Sequence, residues 1–400
     1  MEKILWKENT LPKNDKEGSI KFLNKEEVSK AKNFHESFLE YDKTPLVDLK
    51  ELSKKIGLGG IYVKDESYRF GLNAFKVLGG SFAMGRYLAD KLGEDIKDLP
   101  YEKLTSKEVK ERLGDITFVT ATDGNHGRGV AWTANRLKQK SVVYMPKGSS
   151  LMRLNNIKAE GAEASITELN YDDAVRLANK YAEEHNGLMV QDTAWEGYEK
   201  IPAWIMQGYG TMALEASEQL KEFDVERPTH IFVQAGVGSL AGAIQGFFAS
   251  MYPENCPTTV VVESNLADCY YKSAIADDGK ARVVGGEMQT IMAGLACGEV
   301  NTIGFEVLKN YAKAFVSAPD WVAAKGMRVL GNPLKGDKGI ISGESGAVTT
   351  GLLYEIMTND DYKDLKQALG LDENSRVLLF STEGDTDPEK YRQIVWNGEY

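Results

Sequence analysis

From Thr44 to Asp387 the chain alternates short apolar, β-branched runs with longer stretches of helical periodicity. The runs Ile61–Val63, Ile116–Ala121, Ser141–Met145, Ala164–Leu169, Thr229–Gln234, Thr258–Glu263 and Arg376–Ser381 predict strands. Between them Leu151–Glu160, Tyr171–Glu184, Trp204–Leu220 and Leu240–Met251 predict helices. Strands alternating with helices pair as βαβ units in parallel sheets wrapped by helices. Such sheets bind ligands at the C-terminal ends of their strands, so the glycine-rich turns after Ala121 and Gln234 are where chemistry is expected. The polar lead Met1–Asp42 has helical periodicity near KEEVSKAKNFHESFLEY, and the charged EDIKDLPYEKLTSKEVKERL reads as a solvated insertion.

The length of 400 residues with 42% hydrophobic content suits a large core divided into two domains. A net charge of −11 argues against a nucleic-acid partner or an anionic membrane surface, either of which needs a basic face. The opening MEKILWKENT is too polar for a signal peptide, and no apolar run approaches the roughly 18 residues of a spanning helix. Cys256, Cys269 and Cys297 make no disulfide framework, so a cytoplasmic setting is expected. His35, His126, His185 and His230 lie far apart without metal-ligand spacing, and no metal is expected.

Four segments carry chemistry. In RFGLNAFKVLGGSFAM, Lys76 heads an apolar, glycine-marked helix after a predicted strand. A lysine there is either a solvated charge or an amine in a partly dry site that loses its proton and attacks a carbonyl. In TFVTATDGNHGRGVAW a strand runs into Thr122-Asp123-Gly124-Asn125-His126-Gly127, and a helix follows. Backbone N–H groups at such a start favour a carboxylate or a phosphate, and Asn125 offers a neutral hydrogen bond; the plain alternative is a polar capping turn. In THIFVQAGVGSLAGAIQGFF the small residues Gly236, Val237, Gly238, Ser239 and Leu240 open a helix closely enough to cradle a phosphate. A dinucleotide fingerprint is disfavoured because its third glycine, Gly242, falls one residue late, although Glu263 ends a strand at about the right distance. In VLLFSTEGDTD a late strand delivers Ser381 and Thr382 into a turn, where a hydroxyl can meet a ring nitrogen or simply shape the turn. Asp192, after Leu188–Gln191, is a further acid or a helix cap.

Taken in this order, the segments resemble the fold-type II enzymes of pyridoxal 5′-phosphate, the tryptophan synthase β and threonine dehydratase group. TPLVDLKELSKKIGLGGIYVKDES looks like the family's opening and NAFKVLGGSFA like its lysine site. TATDGNHGRGVA resembles the substrate-carboxylate loop, GVGSLAG the phosphate cradle, and STEGDTD the serine turn that faces the pyridine nitrogen. The resemblance implies an α/β fold of two parallel-sheet, three-layer domains with the cofactor in the cleft between them. The large domain would span 1–67 and 196–400, and the small one 68–195, carrying Lys76 and the Asn125 loop. It also implies a homodimer acting on a small amino acid.

Within the group the chain resembles the diaminopropionate ammonia-lyases. Hydroxyamino-acid dehydratases have Ser-Ala-Gly-Asn-His in the substrate loop, whereas this loop carries Asp123; QDTAWEGYEKIP and STEGDTDPEKYRQI are also typical of the lyases. A carboxylate at 123 suits a substrate whose β-substituent is an ammonium. The resemblance implies catalytic roles for Lys76, Asp123 and Asp192. It implies cofactor contacts from Lys76, Asn125, Gly236, Val237, Gly238, Ser239, Leu240 and Ser381 or Thr382. Substrate contacts would come from Thr122, Asp123, Gly124, Asn125, His126 and Asp192. The expected reaction is α,β-elimination of D- or L-2,3-diaminopropionate to pyruvate and two ammonia, with Lys76 taking the α-proton of the L form and Asp123 that of the D form. Serine or threonine dehydration is the rival.

Overall fold

In chain order the described strands are β1 (Leu5–Glu8), β2 (Leu46–Asp48), β3 (Gly60–Asp65), β4 (Thr117–Ala121), β5 (Lys140–Met145), β6 (Glu163–Ile166), β7 (Leu188–Met189), β8 (His230–Gln234), β9 (Thr258–Ser264), β10 (Ala314–Ala318) and β11 (Arg376–Ser381). Seven of them form one sheet in the order β1-β10-β9-β8-β11-β3-β2, and the other four form a second sheet in the order β6-β5-β4-β7. The computed structural model describes residues 2–122 and 124–400, so Asp123 lies outside the described residues. The chain divides into two units, Met1–Lys25 with Lys43–Tyr68 and Met212–Tyr400, and Glu26–Asp42 with Arg69–Thr211.

In the first unit β8, β9 and β11 are buried almost throughout, as β-branched strands covered on both faces must be. β11 pairs in parallel with both β3 and β8, which sets Gln234 and Ser381 at the C-terminal ends of neighbouring central strands. Both edges depart from the all-parallel expectation: β1 runs antiparallel to β10, and β2 antiparallel to β3. These strands escape a sequence reading for physical reasons. LWKE of β1 is partly solvated, so it lacks an apolar run; AFVSA of β10 is buried but small and short.

A closed ionic cluster lies in this unit. Lys64 of β3 reaches Glu215 Oε2 at 2.6 Å, Thr44 O at 2.6 Å and Gln219 Oε1 at 2.8 Å. The Thr44 hydroxyl donates to Glu66 Oε1 at 2.6 Å. Lys64, Glu66 and Glu215 are fully buried.

The second unit is a parallel sheet whose strands are followed by the helices Asn125–Arg136, Leu151–Ala159 and Tyr171–Glu184. Residues 26–42 group with it, and aromatic packing explains why. The Phe38 ring lies 5.6 Å from Trp132, tilted, and 5.8 Å from Phe70, edge-on, and Phe34 lies 6.2 Å from Phe82. Residues 196–211 belong here too, whereas the sequence reading assigns both segments to the large domain. The charged insertion forms three short pieces, Ile96–Asp98, Tyr101–Leu104 and Lys107–Leu113. Among the described residues no helix is long and apolar enough to cross a membrane.

Candidate active site

Lys76 is the residue immediately before the helix Val77–Leu92, and glycines let neighbouring helices close around that end. A Cβ on Gly129 would come within 2.8 Å of Val77 Cα, and one on Gly79 within 2.6 Å of the Tyr209 ring. A Cβ on Gly208 would lie 2.3 Å from Leu78 O. The glycine-marked pattern therefore records close backbone approach. Lys76 Nζ donates to Asp192 Oδ2, which also accepts from Tyr209 Oη at 3.3 Å. The Asp192 side chain is 4% exposed and that of Lys76 is 21% exposed, so the lysine side of the pair is reached by solvent. Burial acts to raise the Asp192 carboxyl, but the charges of Lys76 and His126 and the hydrogen bonds from Lys76 and Tyr209 outweigh it and hold it at about 2. Asp192 is thus an anion fixed beside Lys76 and not a spare acid.

The loop after β4 is built by its own side chains. Thr122 Oγ1 accepts from the backbone N–H of Gly124 at 2.9 Å and of Gly127 at 3.1 Å, capping the helix that starts at Asn125. His126 is buried and its Nε2 donates to Val190 O at 2.8 Å, tying this loop to the segment that leads into Asp192. Gln191 reinforces the link, since its Oε1 accepts from Thr120 Oγ1 at 2.8 Å and from Ala121 N at 3.1 Å. Thr122, Gly124, Asn125, His126 and Asp192 are therefore brought together within the unit that carries Lys76, while Asp123 falls outside the described residues.

In the first unit Gly236, Val237 and Gly238 turn from β8 into the helix Ser239–Met251, and Gly238 has φ +95°. A Cβ on Gly238 would lie 1.9 Å from the Tyr270 hydroxyl, and one on Gly236 would lie 2.9 Å from Gly294 O. Val237 O is held by Asn301 N at 2.7 Å and by Tyr270 Oη at 2.9 Å, while Asn301 Nδ2 donates to Ser239 Oγ at 2.7 Å. With that carbonyl pinned, the N–H groups of the helix start are left to face an anion. Glu263 is engaged locally, accepting from Tyr270 N and Tyr271 N at 2.8 Å each, and burial lifts it to about 8. It serves as a cap, which removes the ribose role that a dinucleotide site would need.

The ends of β8 and β11 complete this side. Gln234 Nε2 donates to Phe380 O at 3.1 Å and Thr382 Oγ1 at 2.8 Å, and Ser381 Oγ lies 2.8 Å from Ser342 Oγ. A Cβ on Gly346 would meet Ser342 Oγ at 2.8 Å and Thr382 N at 3.0 Å, and one on Gly294 would meet Ser345 Oγ at 3.1 Å. Within this ring Gln234 Oε1 and Ser345 Oγ are buried without a protein partner. Buried polar atoms need partners. A helix start for a phosphate, glycines where a side chain would intrude, and polar atoms awaiting a ligand fit pyridoxal phosphate.

Tyr209, Tyr270, Asn301, Ser342 and Ser345 belong to none of the four chemistry-bearing segments of the sequence. For the serines a usable signal existed: SGESG before an apolar helix repeats the small-residue logic of GVGSLAG. Among the described residues no group of three or more His, Cys, Asp or Glu is placed to hold a metal ion.

Comparison with known proteins agrees with this geometry. Residues 38–383 match the model of the family described as "Pyridoxal-phosphate dependent enzyme". The chain is 57% identical over 366 residues, 91% of each chain, to a diaminopropionate ammonia-lyase of Salmonella typhimurium. It is 50% identical over 371 residues to the corresponding protein of Escherichia coli K12, covering 92% of this chain and 91% of that one. A crystal structure of the Escherichia coli lyase in complex with an aminoacrylate-PLP azomethine reaction intermediate superposes with a TM-score of 0.90 at 46% identity, covering 99% of this chain and 98% of the other.

Proposed function

The chain belongs to the family of pyridoxal-phosphate dependent enzymes, and from that premise we propose that it is a carbon–nitrogen lyase converting 2,3-diaminopropionate and water to pyruvate and two ammonia. The observation that carries the reading is the Lys76–Asp192 pair, set beside 57% identity along nine-tenths of the chain. When bound, the cofactor supplies an electrophilic carbonyl carbon and a ring that accepts electron density from the substrate α-carbon.

Lys76 is the amine that would hold the cofactor, and as a free amine its Nζ takes the α-proton of the L-isomer. Asp192, held ionised, stabilises the ammonium that Lys76 then becomes. Asp123 is the base for the D-isomer and the counter-charge for the departing β-ammonium group. Asn125 and the N–H groups of its helix start orient the substrate carboxylate together with Thr122, Gly124 and His126. Gly236, Val237, Gly238, Ser239 and Leu240 bind the phosphate. Ser381 or Thr382 would offer a neutral hydroxyl to the cofactor's ring nitrogen, a partner that would favour elimination over transamination. The working form is a cytoplasmic homodimer.

The test is turnover of D- and L-diaminopropionate and of serine by the wild type and Asp123→Asn, followed as pyruvate. The expected result is good turnover of diaminopropionate, poor turnover of serine, and a loss in the variant that falls chiefly on the D-isomer, by about 100-fold or more. If serine or threonine is the better substrate and Asp123→Asn hardly matters, the enzyme is a dehydratase.

A further inference from the structure

One buried polar group beside Lys76 has no part in the scheme above. Tyr209, from the helix Lys200–Leu220, is 0% exposed. Its ring packs against Phe75 with centroids 4.8 Å apart, and the bare Cα atom of Gly79 makes room for it. Its hydroxyl donates at 3.3 Å to Asp192 Oδ2, the same oxygen that receives the hydrogen bond from Lys76 Nζ. Among the described residues, His126 and Tyr198 are further titratable groups that act on Asp192. His126 Nε2 is engaged with Val190 O at 2.8 Å, and Tyr198 Oη donates to Met189 O at 2.9 Å.

We propose that Tyr209 is a positioning residue: by sharing Asp192 Oδ2 with Lys76, its hydroxyl sets how readily Lys76 releases its proton. The inference rests on the role given to Lys76 above. Two donors on one carboxylate oxygen compete. While Lys76 is an ammonium it takes the larger share of the negative charge. When Lys76 loses its proton, the tyrosine bond strengthens and compensates the carboxylate for the lost cation. Removing the hydroxyl therefore penalises the neutral-lysine state more than the charged one, and the proton leaves at a higher pH. Burial keeps the phenol protonated, pushing its ionisation well above the ordinary tyrosine range, so Tyr209 remains a donor wherever the enzyme works.

The discriminating variant is Tyr209→Phe, which retains the ring and its Phe75 contact. In the holoenzyme with saturating L-diaminopropionate, the rising limb of kcat against pH is expected to move upward by about 0.5–1 unit. At neutral pH kcat falls about three- to tenfold, with KM changed by less than about twofold. A second readout needs no turnover. In the cofactor-free full-length chain, the pH midpoint for reductive methylation of Lys76 by formaldehyde, read by peptide mass spectrometry, moves by the same amount in the same direction. In an Asp192→Asn background, adding Tyr209→Phe produces no further shift, because the effect runs through Asp192. An unmoved methylation midpoint, or the same displacement with and without Asp192, overturns the proposal. If Tyr209→Phe does not fold, 3-fluorotyrosine at position 209 keeps the shape and is a stronger donor. The midpoint must then move down, and an unmoved or raised midpoint overturns the proposal as well. Failure of the substrate reading looks different: the wild type would be inactive on both enantiomers while the methylation shift persisted.

Discussion

Lys64 and Lys76 lie twelve positions apart and each faces a buried carboxylate, yet the two pairs are built for opposite purposes. An ammonium has three donors. Those of Lys64 are matched by Glu215 Oε2, Thr44 O and Gln219 Oε1, and neither partner of the pair is exposed. Nothing can approach that amine without dismantling its surroundings. Lys76 meets Asp192 within hydrogen-bond reach but keeps 21% of its side chain exposed. Its carboxylate partner is held low against burial chiefly by the Lys76 charge, with His126 and the Tyr209 hydroxyl adding to it. A fully closed pair holds structure; a pair that is buried on the acid side and solvent-accessible on the lysine side can exchange a proton and form a bond.

The sharpest separation of the two comes from removing each amine in turn. Lys76→Met is expected to cut turnover of diaminopropionate by at least about 10³-fold while costing clearly less in urea unfolding than Lys64→Met, because Tyr209 still donates to Asp192 and the lysine side of the pair is solvent-accessible. Lys64→Met strands a buried carboxylate and is expected to cost about 3–5 kcal/mol in urea unfolding, with turnover per folded molecule retained. Equal stability losses in both would dissolve the distinction. A smaller effect comes from the double replacement Lys64→Met with Glu215→Leu, which removes the charge at both ends. It should recover most of the stability lost in the single variant, since desolvation offsets much of a buried pair's attraction. No recovery would mean that the cluster contributes something beyond charge balance.

The smallest effect concerns acid stability. Asp192 is held at about 2 in the folded chain against 3.8 as the ordinary value, so the unfolded state binds its proton first as pH falls. Its contribution to stability is complete above about pH 4 and is lost as pH drops toward 2. Urea midpoints measured between pH 5 and 3 should fall less steeply for Asp192→Asn than for the wild type. Parallel slopes would show that Asp192 is not depressed.

The same pair of lysines shows how far a sequence can be read. The Lys76 helix, the Gly236–Leu240 turn and the Ser381–Thr382 strand end were legible because a strand, a tight turn and a helix start each leave a local signature. The division between Lys64 and Lys76 was far less visible, since it depends on Thr44, Glu215 and Gln219 on one side and on Tyr209 and Asp192 on the other, all distant in the chain. Long-range packing equally concealed the placing of residues 26–42, which follows from Phe34 and Phe38 meeting Phe82 and Trp132. The antiparallel edges β1 and β2 were hidden for another reason: an edge strand needs no continuous apolar run. Tyr270 and Asn301 gave no motif, yet they hold the carbonyl on which the phosphate turn depends.

The measurement that bears most directly on the account is chemical trapping of the lysine that carries the cofactor. The holoenzyme is reduced with borohydride, digested, and the pyridoxyl-bearing peptide located by mass spectrometry. The account predicts a single modified site at Lys76 with Lys64 untouched. Modification at another lysine, or none at all in enzyme that retains the cofactor, would contradict it.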